Sequence, residues 1–207
     1  MFVRPIDHHP HSAATTHLSA APPPIAPGGL ELRLLDHRDI DALATLLSEE
    51  QRWLGAWLPW VDPLVARLDA SSSTSLGPVA AWIQDGLNRY ATQRGLRVGL
   101  FEGGQLIGGL ELEKWDATNR KGQIFCWLRE RSCGGGRMTR ALASWIDWLF
   151  EELDVQRLTA RFPTTHVAAR RLVERLDFQH EGTIRRTAQH RGRWYDDDLF
   201  GRLRAQP

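Results

Sequence analysis

The stretch between Gly122 and Phe150 constrains the fold of this 207-residue chain more than any other part of the sequence. Residues 123–128 (QIFCWL) are mostly apolar and predict a short buried strand. Three glycines follow at 134–136, and apolar residues then recur at helical spacing: Met138, Ala141, Leu142, Trp145, Ile146 and Leu149. A helix start leaves N–H groups without partners at the positive end of the helix dipole. The pattern therefore predicts a phosphate-binding turn, with a flexible connection as the alternative.

Four arginines surround this turn, at positions 129, 131, 137 and 140. Guanidinium groups match the geometry of phosphate well, so they favour the phosphate-binding interpretation. The turn has neither the Lys-Ser/Thr ending of a Walker A motif nor the glycine spacing and downstream acid of a dinucleotide-binding fingerprint. These two common kinds of nucleotide site are therefore not indicated.

Several pieces of the sequence resemble the GNAT acetyltransferases, in order along the chain. Residues 133–138 (CGGGRM) resemble the pyrophosphate loop of that family, usually Gln/Arg-x-x-Gly-x-Gly/Ala. Residues 136–141 (GRMTRA) are similar to the G-Y-M-T-E-A helix start of the ribosomal-protein N-terminal acetyltransferases of RimJ/RimL type. Further pieces resemble V-L-E-K-L-G-F, E-G-x-x-R and G-x-Y-x-D, at 172–178 (LVERLDF), 181–185 (EGTIR) and 192–196 (GRWYD). The resemblance covers about residues 30–204.

The periodicity of the remaining chain predicts the order β-α-α-α-β-β-β-α-β-α-β-β, an α/β (α+β) fold with a mixed sheet and helices on both faces. The resemblance adds a mostly antiparallel sheet and a splayed strand pair that holds a cofactor. The predicted strands lie at 30–35, 96–101, 105–115, 123–128, 157–162, 178–187 and 194–202. The predicted helical segments include one after Asp36, a tryptophan-rich corner at 53–62, and helices over 77–95, 137–150 and 166–176, with a polar loop at 69–75.

Composition limits the classes of function. The hydrophobic fraction of 42% suits one globular domain, predicted at 30–207, and residues 1–29 predict a disordered or extended tail rich in histidine and proline. Twenty-six basic against 25 acidic residues give no nucleic-acid footprint, and no apolar run reaches the ~20 residues that span a bilayer. Cys126 and Cys133, the only cysteines, suit a reduced cytoplasmic protein. We expect neither metal, nucleic-acid nor membrane binding, and we expect a homodimer.

The resemblance implies that acetyl-CoA is the acetyl donor, and it implies which residues hold it. A backbone N–H near Trp127 and Leu128 would polarise the acetyl carbonyl, as preorganised donors do for a developing oxyanion. The resemblance places these residues at the cofactor: Trp127, Leu128, Cys133, Gly134, Gly135, Gly136, Arg137, Met138, Thr139, His166 and Arg171. Direct transfer in a ternary complex is also implied, so Cys133 is not expected to be a nucleophile.

The sequence departs from the family pattern mainly at the polar groups around the reacting amine. Cys133 stands at the usual Gln or Arg, His166 at an Asn, Ala169 at a frequent Ser, Val173 at a frequent Tyr, and Ala188 at an acidic residue. The cofactor loop is therefore better preserved than the groups that transfer protons.

Few candidates remain for acid–base chemistry. Glu111 and Glu113 share one face of a predicted strand, since side chains alternate with period two, and Glu111 is the predicted base. The alternative for this pair is two solvated carboxylates. His190 is a further candidate for the base, with Gln123 as a relay only. Tyr195 is the candidate donor of a proton to the leaving thiolate, or else a strand residue without a role.

Trp57, Trp60, Glu113 and His190 are predicted to contact the acceptor, with core packing as the alternative for the tryptophans. A peptide α-amine has a pKa of about 7.7–8.0 against about 10.4 for lysine, so a site with a weak base suits a protein N-terminus. The leading prediction is an N-acetyltransferase for a primary amine. The alternatives are transfer to a small-molecule amine and a cofactor-binding module that does not catalyse.

Overall fold

The computed structural model describes residues 28–70 and 77–205, so the predicted tail up to residue 27 and most of the predicted loop at 69–75 lie outside it. The strands are β1 (Leu30–Leu34), β2 (Leu96–Glu102), β3 (Gln105–Asp116), β4 (Lys121–Leu128), β5 (Arg157–Pro163), β6 (Gln179–His190) and β7 (Arg193–Leu203). The helices are α1 (Ile40–Glu49), α2 (Gln51–Leu54), α3 (Val61–Ala70), α4 (Gly77–Ala91), α5 (Arg137–Glu151) and α6 (Val167–Glu174).

The described strands form one sheet in the order β1-β2-β3-β4-β5-β7-β6. Every neighbouring pair is antiparallel except β4 and β5, which run parallel. The parallel pair is connected through α5, as a crossover between parallel strands requires. The predicted mixed, mostly antiparallel sheet is confirmed.

The ladder between β4 and β5 ends in the middle of both strands. Its last pair joins Ile124 to Ala160, whereas β4 continues to Leu128. β5 continues to Pro163 and stays paired with β7 up to that residue. The two parallel strands therefore separate beyond Ala160, and this opening is the splayed pair that the resemblance implied.

Helices cover both faces of the sheet and form two cores. Alternation along β2 sends Leu96, Val98 and Leu100 into the core that contains Trp145 of α5. The opposite face packs on α1, α3 and α4 through residues such as Leu47, which is fully buried. The predicted helices on both faces are confirmed.

The structure differs from the predicted elements in three places. The region before β2 holds four described α-helices rather than three, because Pro59 disfavours helical geometry at Leu58 and separates α2 from α3. Helix α4 ends at Ala91 rather than Gly95, since Gln93 turns left-handed with φ 56°. Strand β6 continues to His190, past an irregularity in its pairing after Ile184.

Candidate active site

Two cavities meet at the opening between β4 and β5. The loop cavity, about 260 Å³, lies against the glycine turn and is lined by residues that include Trp53, Cys133, Gly134, Gly136, Met138, Thr139 and Arg175. The aromatic cavity, about 520 Å³, lies beyond it and is lined by residues that include Trp60, Trp82, Glu111, Glu113, Phe162, His190 and Tyr195. Six residues line both cavities: Trp57, Leu58, Cys126, His166, Ala169 and Leu172. A ligand in one cavity can therefore meet a ligand in the other at this boundary.

The glycine turn forms an open cradle at the start of α5. Gly134, Gly135 and Gly136 all have left-handed backbone, with φ of 86°, 57° and 72°. Gly136 precedes the helix, and no side chain caps the N–H groups of its first turn. A Cβ at Gly134 would meet nothing within 4 Å, so the space above the turn is free for a ligand. These features fit an anionic group such as a pyrophosphate.

The arginines around the turn mainly brace the protein. Arg137 Nε donates to both carboxylate oxygens of Glu102, at 2.8 and 3.0 Å. Arg140 Nη1 donates to the carbonyl of Gly135 at 2.7 Å, which holds the turn in shape. Arg129 is buried and contacts the carboxylates of Glu49 and Glu50. Backbone N–H groups, more than these guanidinium groups, are thus available to a ligand.

Helix α6 contributes a different arginine from the one predicted. Arg171 is exposed and lies outside the lining of the loop cavity, whereas Arg175, one turn further along, lies within it. The prediction of Arg171 at the cofactor is therefore not supported by the cavity lining, which contains Arg175 instead.

The thiol of Cys133 is not activated, although it lies close to a helix N-terminus. Partial burial and the nearby carboxylates of Glu130 and Glu50 raise its pKa above the ordinary value. Its Sγ donates to the carbonyl of Arg129 at 3.5 Å. A thiol with a raised pKa carries little thiolate and is a poor nucleophile at neutral pH.

The backbone of β4 presents alternate residues to the opening. The N–H of Arg129 donates to the carbonyl of Ile107 at 2.9 Å, on the β3 side. Antiparallel pairing alternates, so Trp127 also turns its backbone toward β3, while Cys126 and Leu128 turn theirs toward the opening. Of the two residues named for a polarising N–H, Leu128 turns its backbone toward the opening and Trp127 does not, and the role itself stays a prediction.

The side chain of Trp127 belongs to the core on the α1–α4 face. Its ring packs over Gly109, where an added Cβ would approach it to 2.8 Å. The carbonyl of Leu128 accepts a hydrogen bond from Trp53 Nε1 at 3.0 Å. One lone pair of that carbonyl is therefore already used within the protein.

His166 and Trp57 form a stacked pair at the boundary of the two cavities. Their ring centroids lie 3.9 Å apart with an interplanar angle of 22°. His166 Nδ1 accepts from the backbone N–H of Ala169 at 3.4 Å, as the N-cap of α6. Burial lowers the pKa of His166, so the ring is neutral at neutral pH and carries its proton on Nε2.

Glu111 is held in a buried ion pair rather than in solvent. Arg97 Nε donates to Glu111 Oε2 at 2.7 Å, and Arg97 Nη1 donates to the carbonyl of Trp82 at 2.9 Å. Glu111 is 4% exposed, so the solvated interpretation is wrong for it. Burial raises the pKa of Glu111, and the Arg97 charge opposes that shift. Glu113, on the same face, is half-buried and makes no ion pair within the described part of the chain.

Tryptophans form one wall of the aromatic cavity. Trp60 stacks on Trp82 with centroids 5.1 Å apart, and it meets the edge of Trp127 at 6.4 Å. The guanidinium of Arg97 lies 4.2 Å from the ring centre of Trp82. Trp57 and Trp60 therefore both pack against neighbouring rings and line the cavity, and their contact with the acceptor stays a prediction.

The tip of the β6–β7 hairpin closes the aromatic cavity against α2 and α3. His190 Nε2 lies 2.7 Å from the carbonyl of Gly55. Arg191 makes a bidentate ion pair with Asp62, with contacts from 2.8 to 3.1 Å. We call these two contacts the hairpin latch. Since His190 Nε2 must donate to Gly55, that nitrogen is not free to act as a base.

The sequence matches the family described as Acetyltransferase (GNAT) domain over residues 29–179. The protein belongs to the GNAT acetyltransferase family. A relative from Bacillus subtilis (strain 168), "Putative ribosomal N-acetyltransferase YdaF", is 31% identical over 156 residues, which cover 75% of this chain and 81% of the relative. Membership of this family and similarity to this relative identify the GNAT protein as an N-acetyltransferase, and the site described above fits that activity.

Solved structures agree on the fold. The crystal structure of a "Probable acetyltransferase" superposes with a TM-score of 0.75 at 28% identity and covers 85% of this chain and 93% of its own. RimL, described as a ribosomal L7/L12 alpha-N-protein acetyltransferase in complex with coenzyme A, superposes with a TM-score of 0.79 at 20% identity, covering 87% and 97%. No helix at 28–70 or 77–205 of this GNAT chain is long and apolar enough to cross a membrane.

Sequence reasoning missed several residues of this GNAT site. Cys126, Arg97 and Trp53 were not assigned roles, although the structure places Cys126 at the boundary of both cavities. A charged residue in an otherwise apolar strand, as Arg97 is in β2, was the signal available for a buried partner. The Asp62–Arg191 contact joins residues far apart in sequence, and no local pattern indicates it.

Proposed function

We propose that the protein transfers the acetyl group of acetyl-CoA to the N-terminal α-amine of a polypeptide. The observation that carries this proposal is the meeting of the loop cavity and the aromatic cavity at Cys126, in the opening between β4 and β5. One cavity has an anion cradle, and the other has aromatic and carboxylate groups. A thioester and an amine held on the two sides would react within one enclosure.

The loop cavity suits the donor. The turn at Gly134–Gly136 would bind the pyrophosphate through backbone N–H groups, and Met138 and Thr139 line the cavity beside it. The backbone groups that Cys126 and Leu128 turn toward the opening, with the Leu128 carbonyl already bonded to Trp53 Nε1, would bind the pantetheine arm and orient the thioester carbonyl. His166 keeps one ring N–H for a hydrogen bond to this arm. Such fixed donors stabilise a developing oxyanion by a few kcal/mol.

The aromatic cavity suits the acceptor amine. The amine attacks the thioester carbonyl, the C–N bond forms, the C–S bond breaks, and the amine loses a proton while the leaving thiolate gains one. Glu111 is the base in this proposal, because burial holds its pKa above the ordinary value. Tyr195 lines the same cavity and donates to the thiolate. Trp57 and Trp60 hold the acceptor, and Glu113 attracts its charge.

The names of the relatives support a protein acceptor. YdaF is described as a ribosomal N-acetyltransferase, and RimL as acting on the α-amine of ribosomal protein L7/L12. An α-amine is partly unprotonated at neutral pH, so it needs less from Glu111 than a lysine would. The proposed base, the Glu111 carboxylate, is a weak base, and it suits the proposed acceptor because the α-amine has a low pKa.

One observation favours a second acceptor class. The carboxylate of Glu113 lies with the tryptophans in the lining of the aromatic cavity, and a carboxylate among aromatic rings suits a small organic cation. A small-molecule amine is thus the second candidate.

A paired set of peptides tests the proposal. One peptide has a free N-terminus and no lysine, and the other has the same sequence with a blocked N-terminus and one lysine. We expect faster release of free coenzyme A thiol with the first peptide, and a rate that rises with pH through the titration of its α-amine. Equal or faster turnover of the lysine peptide would contradict the proposal. Turnover only of small amines would favour the second candidate.

A further inference from the structure

The aromatic cavity reaches both faces of the sheet through the opening between β4 and β5. Phe125 of β4 packs with the core on the α1–α4 face, whereas Ile124 and Cys126 pack with the core of α5 and α6. All three residues line the cavity, and so does Leu142 of α5. A cavity that touches residues of opposite orientation on one strand must pass around the edge of that strand.

The two sides of the cavity differ in chemistry. Arg97, Glu111, Glu113 and His190 line the α1–α4 side or the hairpin. On the α5–α6 side the lining includes Ile124, Cys126, Leu142, Ala160, Phe162, Leu172 and Val173, and none of these side chains is charged. Leu142 is fully buried, and Ala160 and Val173 are each 4% exposed. The amine therefore suits the first side, and only an apolar group suits the second.

Small side chains line this apolar side of the cavity. Ala169 and Val173 of α6 stand where the family resemblance expects a frequent Ser and a frequent Tyr. Ala160 lies on β5 at the last rung before the strands separate, opposite Ile124. The methyl group of an acetyl thioester at Cys126 would occupy only the entrance to this space.

We propose that the apolar side is a pocket for the acyl chain of the donor, and that the protein also transfers linear acyl groups longer than acetyl from their coenzyme A thioesters. The named side chains that would contact the chain are Ala160, Phe162, Leu172 and Val173. This assignment rests on the proposed function, because it places the thioester at the boundary of the two cavities. The bonds that break and form are the same C–S and C–N bonds, so no further reactant is needed.

The pocket should favour chains that fill it. Burying one methylene in an apolar environment corresponds to about a fourfold change in an equilibrium or rate constant. We therefore expect kcat/KM with propionyl- and butyryl-coenzyme A to equal or exceed kcat/KM with acetyl-coenzyme A, using one peptide acceptor. Calorimetry should show the same order of donor affinity without any acceptor present.

Two variants that fill the pocket test its location. Ala160→Val adds two methyl groups on a strand position that accepts β-branched residues, and Val173→Phe fills the position on α6. Each should lower the ratio of butyryl to acetyl transfer by about tenfold while acetyl transfer persists. Ala81→Val, on the exposed surface of α4, adds the same two methyl groups as Ala160→Val and should leave the ratio unchanged. If Val173→Phe does not fold, Ala160→Val and calorimetry of the wild-type protein still test whether the acyl pocket exists.

The outcomes separate this inference from the proposed function. Acetyl transfer with butyryl transfer more than a hundredfold slower, or with a ratio that Ala160→Val leaves unchanged, would overturn the acyl pocket alone. Failure of every thioester donor would overturn both. Efficient butyryl transfer in the wild-type protein that Ala160→Val suppresses would support the acyl pocket.

Discussion

The indole of Trp57 stacks on the imidazole of His166 at a centroid distance of 3.9 Å. Trp57 comes from the connection between α2 and α3, and His166 caps the N-terminus of α6 on the far side of the opening. The pair therefore ties the helices of one face to a helix of the other across the boundary of both cavities. Loss of this contact should affect the orientation of donor and acceptor together.

His166 should make the free energy of unfolding fall in mild acid. Burial lowers its folded pKa below the ordinary 6.5. As pH falls through 6.5 toward that lower value, the unfolded state binds a proton that the folded state does not, so stability is lost. His166→Asn keeps a capping side chain but removes the titration, so its urea midpoint should fall less between about pH 7 and pH 5. The exposed His37→Asn controls for the loss of one histidine, and a parallel loss in all three proteins would contradict the assignment.

Glu111→Gln should lower kcat/KM by about tenfold to a hundredfold, at the lower edge of general-base effects. Gln can still accept from Arg97 but cannot take a proton. Glu113→Gln, two positions along the same strand face, is the matched control and should cost less, because Glu113 has no ion pair in the described chain and is not the proposed base. If steady-state kinetics show a larger loss of kcat/KM for Glu113→Gln than for Glu111→Gln, the role of base belongs to Glu113.

Gly134→Asp should abolish binding of acetyl-coenzyme A as measured by calorimetry. The added carboxylate would point into the open space above the turn and repel phosphate. Gly104→Asp is a matched control, since Gly104 has a similar φ of 77° against 86° and equally open space, but lies in the β2–β3 turn. Wild-type affinity in a folded Gly134→Asp protein would remove the turn from the donor site.

Asp62→Asn should weaken the hairpin latch and act on the acceptor more than on the donor. The pair with Arg191 is half exposed, so the change in stability should stay below about 1 kcal/mol. We expect the acceptor KM to rise about threefold to tenfold, because the wall formed by His190 and Tyr195 loses its fixed position. Asp154→Asn, which breaks a pair with Arg120 elsewhere, should leave that KM unchanged. An unaltered acceptor KM together with an altered donor Kd would contradict this role.

Cys133→Ser should keep kcat within about twofold of the wild-type value. Direct transfer needs no acyl-cysteine, and partial burial and neighbouring carboxylates raise the pKa of this thiol rather than lower it. Mass spectrometry of the enzyme quenched during turnover should find no acylated Cys133. Such a species formed and consumed at the rate of turnover would establish a covalent route.

Local patterns predicted most of the fold, because strands, turns and helices carry their own periodicity. The strand at 123–128, the turn at 134–136 and the helix after it lie where the sequence placed them. The helical corner at 53–62 was less predictable, since Pro59 interrupts its pattern and the tryptophans find partners on other elements. The glycine turn, whose residues are contiguous, was therefore visible in the sequence.

The aromatic cavity is lined by residues from distant segments and was only partly visible in the sequence. Arg97 on β2 faces Glu111 on the neighbouring strand β3. Asp62 pairs with Arg191, which is 129 residues further along the chain. No local period sets these contacts, because strand register and tertiary packing bring the residues together. The position of Glu111 on a strand was predictable, but its burial was not.

The early end of the β4–β5 ladder has a consequence for how the protein responds to its donor. Cys126 and Leu128 turn backbone groups toward a gap where a continuous sheet would have paired them, and of these groups the Leu128 carbonyl bonds to Trp53 Nε1 instead. Backbone groups that lose their sheet partners reduce folding stability. A ligand arm that bonds to them would act as the missing length of strand. Saturating donor should therefore slow amide hydrogen exchange in both flanking strands and raise the melting temperature by mass action. The gap that the proposal assigns to the donor arm thus lies beside the two neighbouring strands that pair over the fewest residues.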